Sequence, residues 1–450
     1  MRLFARAPWA GLLGIAMATA AVGCGGGSGG SGNGSGPDDA GGAADQQLPH
    51  PEAGVVLDGG GVDATAESSI DDGSTGDVTE AAPVEAAAFA TAAHSPWPVL
   101  TPNAGIVLHD MKLVIVASSG DPQASDYFAY GDALIASAWW QSFATEYGLG
   151  TPTTSTHVTG PAITTDPTSQ AMVKYITSAV AASPDAGAGA NGDTMYMLFL
   201  PTGVDIQDQR GPNTSCQYYG GYHTTYDNSG DAWGVVQHCP ITNTGLTDLQ
   251  WMTIGASHEI AEAATDPIPD NGYTLVPQID YAQPWTQPPW AASLYGEVGD
   301  MCVETQITEG SYMYQRIWSI AAAAKGLDPC VPPHAQYAYV NTSAPKGWYT
   351  VAAGTSVNVP ITGWSDRATP DWIVAADIWS QSGTGYTATI SSPTTKNGYA
   401  TTNNGKASTL TITAPVSASP GSWAIAYIAS ETFVSTGDQY HLWVVGAYVQ

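Results

Sequence analysis

The strongest constraint on the fold is a ten-residue segment, from His258 to Pro267, that places ionisable side chains in an apolar, helix-forming background. A helix is predicted to begin at Thr247, because Thr247 and Gln250 have the spacing of a capping box, and Pro267 ends it. Positions four apart lie on nearly the same face of a helix, so His258 and Glu262 can reach one point. The segment therefore predicts a metal site built on a helix.

The residue after the histidine, Glu259, is rotated off the line that joins the two predicted ligands. In that position a carboxylate can hold a water at the metal and take a proton from it. An amphipathic helix with a few surface charges is the alternative interpretation. Only 11% of the residues are charged, so three ionisable groups within five positions favour the metal site.

A second acidic block, G-E-V-G-D-x-C, follows at residues 296–302 and supplies Glu297 and Asp300. It lies at a distance along the chain where zinc peptidases often provide a third ligand. Asp266, near the predicted end of the helix, is expected to cap it or to support a ligand. The remaining histidines lack ligand spacing and are expected on the surface or in the core, with only His238 expected to approach the site; those considered are His109, His157, His223, His238, His334 and His441.

The start of the chain predicts export. Residues 1–24 combine two arginines, a short apolar run and a small residue before Cys24, which is typical of a lipoprotein signal peptide with Cys24 as the lipidated residue. Plain secretion is the alternative. Residues 25–95 are mostly Gly, Ser, Ala and Asp and are predicted to be a disordered acidic linker. The protein is thus expected outside the cytoplasm, as a cell-envelope lipoprotein or a secreted protein.

The net charge of -29 makes nucleic acid an unfavourable partner, and membrane contact is expected only through the lipid. The chain has five cysteines, so four remain if Cys24 is lipidated. An even number in an exported protein predicts disulfides. Proximity along the chain favours Cys216 with Cys239 and Cys302 with Cys330, although three pairings are formally possible and a structural zinc site is a further alternative.

Residues 96–333 read as an α/β domain. Buried strands are predicted at 112–117 and 195–200. Between them, Ile135, Trp139 and Phe143 repeat every fourth residue and predict one helix, and a second follows Asp166. Residues 267–289 are predicted to be a long ordered loop. Trp285 and Trp290 could form an aromatic platform for sugar or peptide, or could simply be packed.

Residues 334–450 are rich in Thr, Ser, Val and Tyr with regularly spaced turns, and predict an all-β sandwich of immunoglobulin-like type. Six strands are predicted there, at 351–361, 372–379, 386–391, 408–414, 423–429 and 441–449. The overall fold class is therefore an α/β domain followed by an all-β sandwich domain.

The motifs H-E-x-x-E-A-x-T-D-P and G-E-V-G-D-x-C, the Pro/Tyr-rich loop and the closing D-P-C-V-P at 328–332 resemble secreted bacterial proteins related to the plant Exordium (phosphate-induced) family. That family is similar to zincin metallopeptidases in its helix, so the resemblance implies a zincin-like α+β catalytic domain over roughly residues 97–333. Many plant members lose the His-Glu pair, whereas this chain retains it.

In the peptidase hypothesis, zinc is held by His258, Glu262 and one acid of the second block, and Glu259 is the catalytic base. Similarity to the glutamate-type zincins implies Glu297 as the third ligand and Asp300 as the group that orients His258; the reverse assignment stays open. Two carboxylate ligands also admit calcium or manganese. The oxyanion stabiliser is open, with Tyr295, Tyr312 and Tyr314 as candidates by residue type only.

Two functions follow as expectations. The first is a zinc-dependent metallopeptidase-like hydrolase that acts on peptide bonds of a peptide or protein substrate. The second is a noncatalytic cell-surface binding protein with a structural metal site, whose partner is cell-envelope polysaccharide or another protein. Replacing Glu259 distinguishes the two functions, because only hydrolysis needs its carboxylate.

Overall fold

The computed structural model of the chain describes residues 89–103, 105–183, 192–207, 215–217, 219–226, 230–239, 246–269, 271–277, 279–294, 296–303, 305–380, 385–396, 398–432 and 440–450. The predicted signal peptide, the lipidation site Cys24 and the linker up to residue 88 lie outside the described residues, as does Tyr295. No helix among the described residues has the length and apolar character that crossing a membrane requires.

The α/β unit, residues 97–333, contains the following elements in chain order: β1 (Thr101–Pro102), β2 (Lys112–Ser118), α1 (Ala124–Ile135), α2 (Ala138–Gln141), β3 (Thr154–Gly160), α3 (Ser169–Ala181), β4 (Thr194–Phe199), β5 (Gly221–Thr225), β6 (Ala232–Val236), α4 (Asp248–Thr265), β7 (Tyr273–Thr274), α5 (Pro289–Leu294), β8 (Gln306–Glu309), β9 (Tyr312–Gln315), β10 (Ile317–Trp318), α6 (Ile320–Ala324) and β11 (Cys330–Val331).

One five-stranded sheet, with strand order β3-β2-β4-β6-β5, organises this unit. The first four strands of that order run parallel, and β5 pairs antiparallel with β6 at the edge. Helix α3 covers one face of the sheet, while α1 and α4 cover the other. Strands β2 and β4 are almost entirely buried because both faces are covered, which explains their continuous apolar runs.

The predicted helix through Ile135, Trp139 and Phe143 is broken in the structure. Helix α1 ends at Ile135, and α2 begins after Ser137, whose hydroxyl accepts the N–H of Trp140 at 3.0 Å. Serine competes for backbone hydrogen bonds and favours a helix start over a helix interior. The aromatic spacing was therefore a sign of burial, but not of one continuous helix.

The second unit is a β-sandwich, as the sequence predicted. Its strands are β12 (Val340–Ser343), β13 (Trp348–Val351), β14 (Ser356–Ser365), β15 (Trp372–Ser380), β16 (Thr387–Ser391), β17 (Thr394–Lys396), β18 (Tyr399–Thr402), β19 (Ala407–Thr413), β20 (Trp423–Glu431) and β21 (Tyr440–Val449). They form a four-stranded sheet, β12-β14-β19-β16, and a six-stranded sheet, β13-β21-β20-β15-β18-β17.

The two units share one apolar core, and Trp97 lies at its centre. Its ring is edge-on to Trp318 of the first unit, at 5.4 Å between centroids, and to Trp364 of the second, at 5.7 Å. Trp285 stacks on Tyr448 at 4.6 Å. The aromatic loop is thus used for packing between the units, which is the plainer of the two interpretations offered above.

The last part of the predicted linker contacts the sandwich. The N–H of Ala92 donates to the side chain of Asn404 at 2.8 Å, the hydroxyl of Ser95 donates to a backbone carbonyl at 2.8 Å, and the His94 ring stacks on Trp364 at 3.9 Å. Hydrogen bonds and ring stacking thus fix the end of the predicted linker. The described chain therefore joins the sandwich before it enters the α/β unit.

Candidate metal centre

Helix α4 positions the central pair of the site. Its start is fixed by a complete capping box, in which the Thr247 side chain accepts the N–H of Gln250 and the Gln250 side chain accepts the N–H of Thr247. About three turns further on, His258 and Glu262 lie one above the other, with 3.0 Å between His258 Nε2 and Glu262 Oε2. The predicted convergence of these two side chains is present.

Gln315 of β9 orients the histidine. Its Nε2 donates to the carbonyl of Gly299 at 2.7 Å, which turns its Oε1 toward His258 Nδ1 at 3.0 Å. A carbonyl can only accept, so the proton of a neutral His258 ring lies on Nδ1, and Nε2 presents a lone pair to Glu262. A lone pair 3.0 Å from a carboxylate oxygen repels it unless a proton or a metal ion lies between them. The arrangement therefore calls for a proton or a metal ion between these two atoms.

The second acidic block folds over the end of this pair. Glu262 Oε1 accepts the N–H groups of Gly299 at 3.1 Å and Asp300 at 3.0 Å, and Asp300 Oδ1 lies 3.8 Å from His258 Nε2. A β-carbon on Gly299 would lie 2.8 Å from both Glu262 Oε1 and His258 Nδ1. Glycine at this position is thus what allows the loop to approach the histidine.

His223 was missed by the sequence analysis, which assigned it to the surface or the core. It lies on β5, is 6% exposed, and points its Nδ1 at Glu259 Oε2, 3.3 Å away, and at Glu262 Oε2, 3.6 Å away. Its Nε2 contacts the backbone carbonyl of Asp266 at 3.2 Å and lies 3.7 Å from Glu297 Oε1. His238, the histidine that was expected to approach, instead contacts the hydroxyl of Tyr127 at 3.0 Å.

The sequence carries a partial signal for His223. Gly221 and His223 are two residues apart on β5, so they share one face of the strand, and in the structure that face is buried. Sequence alone could not tell which face of β5 turns toward α4, because that is set by its pairing with β6, where His223 opposes Gly234.

The carboxylates and histidines shift each other's pKa values. Burial lowers the pKa of His258, but the neighbouring carboxylates, Glu262 foremost, raise it well above its usual value. Burial likewise lowers the pKa of His223, but Glu259 and Glu262 raise it to about 9. Burial raises the pKa of Glu262, whereas the two histidines bring it below its usual value. The surrounding carboxylates therefore favour a positive charge at both histidine rings.

Two groups of three ligand atoms emerge from the described residues. The first is His258, Glu262 and Asp300, and the second is His223, Glu262 and Glu297. Around a tetrahedral ion with ligands at about 2.0–2.2 Å, ligand atoms lie roughly 3.3–3.6 Å apart. In the first group the distances from His258 Nε2, 3.0 Å and 3.8 Å, bracket that range. The donor set thus fits a divalent ion such as zinc.

The remaining predicted site residues lie at the edge of the site or outside it. Asp266 is the C-cap residue of α4, and its carboxylate accepts the N–H groups of Asn271 and Gly272. Tyr314 is buried against Trp139, and Tyr312 contacts Tyr130, so these two tyrosines belong to an aromatic cluster.

Both predicted disulfides are confirmed. Cys216 pairs with Cys239 across 23 residues, and Cys302 pairs with Cys330 across 28. The first joins the segments that flank the β5–β6 hairpin, and the second fastens the chain two residues beyond Asp300. Each therefore restrains a segment that carries a site residue, and both fit an oxidising environment.

Replacing Gln315 by Leu should weaken metal binding by about 10- to 100-fold, because groups that orient a ligating histidine contribute that much to affinity. Competition with a chromophoric chelator measures the change. The matched control is Gln306→Leu on the neighbouring strand, which should bind metal as the wild type does. Equal affinities for Gln315→Leu and wild type would show that the orientation of His258 does not depend on this amide.

The comparisons with known proteins leave the chain without a family. No protein-family model matches it, and no curated protein does. Among solved structures, a family 123 glycoside hydrolase from Clostridium perfringens is similar at 9% identity and a TM-score of 0.19, over 25% of this chain and 27% of that one. Domain 1 of VCBP3 from Branchiostoma floridae is similar at 11% identity and a TM-score of 0.17, over 25% of this chain and 97% of that one. These similarities are too small to bear on fold or function.

Proposed function

We propose that the protein is an exported, metal-dependent hydrolase that acts on peptide bonds, of the zincin-like type that the sequence resembles. The observation that carries the proposal is the orientation of His258. Gln315 turns the Nε2 lone pair toward two carboxylates, and Glu259 follows directly in the chain. A ligand group next to a carboxylate base is the arrangement that metal-assisted hydrolysis needs.

We assign His258, Glu262 and Asp300 as the ligands of the catalytic ion, with zinc as the first choice and manganese or calcium as alternatives. Asp300 takes the third place because its Oδ1 is near His258, whereas Glu297 lies near His223. This is the reverse of the assignment that the family resemblance implied. The orienting role given there to Asp300 passes to Gln315.

The protein groups would act as follows. A bound Zn²⁺ would supply Lewis-acid polarisation of the scissile carbonyl and of the attacking water. Glu259 would accept a proton from that water and deliver it to the leaving amine. Glu259 is only 5% exposed, which keeps bulk water away and strengthens the electrostatic interactions around it.

The edge strand supports a peptide as substrate. Strand β5 is the outermost strand of the sheet beside α4, and a β-carbon on Gly221 would lie 3.1 Å from Glu259 Oε1. An extended peptide that paired with β5 would therefore bring its backbone close to the proposed base. Lipid attachment at Cys24 and contact with cell-envelope polysaccharide remain further proposals for the same protein.

Burial of the site favours the second candidate function, a noncatalytic surface protein with a structural metal. Glu262 is 2% exposed and Glu259 is 5% exposed, so a substrate would have to reach an ion that is shielded from solvent. In that case the metal would hold α4, β5 and the acidic loop together, and the protein would bind its partner through other surfaces.

Metal content tests the proposal. In the purified full chain, mass spectrometry should find zinc that His258→Ala removes and that the control, His238→Ala, retains. A fluorogenic peptide library should be hydrolysed by the wild type only when metal is bound. Zinc that is indifferent to His258 would refute the site, and bound zinc without hydrolysis of any peptide would favour the structural role.

A further inference from the structure

Two histidines, not one, converge on the same oxygen of Glu262. His258 Nε2 lies 3.0 Å from Glu262 Oε2, and His223 Nδ1 lies 3.6 Å from it. The other oxygen, Oε1, is already used by two backbone N–H groups. Oε2 is therefore the atom that could be shared between two bound ions.

The ring of His223 reaches both carboxylates of the second group. Its Nδ1 lies 3.6 Å from Glu262 Oε2, and its Nε2 lies 3.7 Å from Glu297 Oε1. Nδ1 is also 3.3 Å from Glu259 Oε2. His223 therefore belongs to a group of candidate ligands that is separate from the group around His258.

Acidic side chains outnumber basic ones in this cluster. Five carboxyl groups meet there: Glu259, Glu262, Asp266, Glu297 and Asp300. The ion pairs of Glu259 and Glu262 in the described part of the chain involve only His223 and His258.

We propose a second divalent-cation subsite, held by His223, Glu262 and Glu297, with Glu262 bridging it to the ion at His258. A divalent ion in each subsite would offset the excess of buried acidic groups over the two histidines, and buried charges that stay unpaired are costly. The second subsite has one nitrogen and mostly oxygen donors, so it should admit Mn²⁺ as well as Zn²⁺, with Zn²⁺ bound more tightly. This inference rests on the proposed function, because the second subsite shares Glu262 with the first.

The test counts ions in the full chain after loading with Zn²⁺, and separately with Mn²⁺, followed by dialysis. The His223→Gln, His258→Gln double variant serves as the blank for ions held elsewhere on this acidic chain. We expect two ions per wild-type chain above the blank, one in His223→Gln, one in His258→Gln, and two in the control His238→Gln.

The outcomes separate this inference from the proposed function. One ion that His258→Gln removes and His223→Gln keeps would overturn the second subsite and leave the first intact. One ion with the opposite dependence would overturn the first and keep the second. No ion above the blank would overturn both, and two ions in His223→Gln would place the second cation elsewhere and overturn the subsite.

A variant that fails to fold would not leave the question open. Glu297→Gln changes the same subsite without removing a histidine and should also bind one ion. Anomalous diffraction from wild-type crystals soaked in Mn²⁺ needs no variant at all. Two peaks about 3.5–4 Å apart, one beside each histidine, are expected for a bridged pair, and a single peak beside His258 would overturn the subsite.

Discussion

Hydrolysis of peptide substrates should fall by about 100- to 10,000-fold when Glu259 is replaced by Gln, with the metal content unchanged. The amide keeps the size of the side chain but cannot take a proton from water. Glu259 is not among the proposed ligands of the catalytic ion, so the ion at His258 should stay in place. Turnover is measured with the peptide that the wild type cleaves best, and metal by mass spectrometry on the same samples.

A glutamate outside the site provides the matched control. Glu146 accepts hydrogen bonds from Ser319 and Ala321 on another part of the α/β unit, and Glu146→Gln should keep full activity. Full activity in Glu259→Gln would exclude this residue as the base. Loss of both activity and metal in Glu259→Gln would instead give Glu259 a role in holding the ions.

The largest loss of stability is expected at Arg316, whose side chain is completely buried. Its guanidinium pairs with Asp328, and its Nε donates to the carbonyl of Pro332 at 2.8 Å. Burial raises the pKa of Asp328, and Arg316 opposes that shift. Arg316→Met would leave a buried carboxylate without its partner, so the free energy of unfolding should fall by about 3–5 kcal/mol.

Denaturant unfolding of the metal-loaded chain measures this change. The control is Arg367→Met, because Arg367 is 49% exposed and pairs with the neighbouring Asp366, and such a surface pair contributes at most about 1 kcal/mol. The double variant Arg316→Met, Asp328→Asn should recover part of the loss. Equal unfolding free energies for Arg316→Met and wild type would mean that Asp328 is satisfied without the guanidinium.

Several features could be predicted from the sequence because their causes are local. The capping box at Thr247 and Gln250 fixes the start of α4, and the spacing of four brings His258 and Glu262 together within one turn. Six strands of the sandwich, β14, β15, β16, β19, β20 and β21, could be predicted from apolar residues between turns, whereas the four shorter strands were not predicted. The disulfides join cysteines that are near each other in the sequence, so pairing by proximity along the chain gives the correct partners.

The completed site depends on contacts that no local pattern specifies. His223 reaches Glu259 across 36 residues, and Gln315 reaches His258 across 57. Each of these contacts is set by which strand lies beside α4 and which face of that strand turns inward, and a shift of one residue would reverse that face. The sequence by itself determined the helix and the meeting of His258 and Glu262 on one of its faces. Only the tertiary structure decided which acid joins which histidine, because that choice depends on how strands and loops distant in the chain pack around the helix.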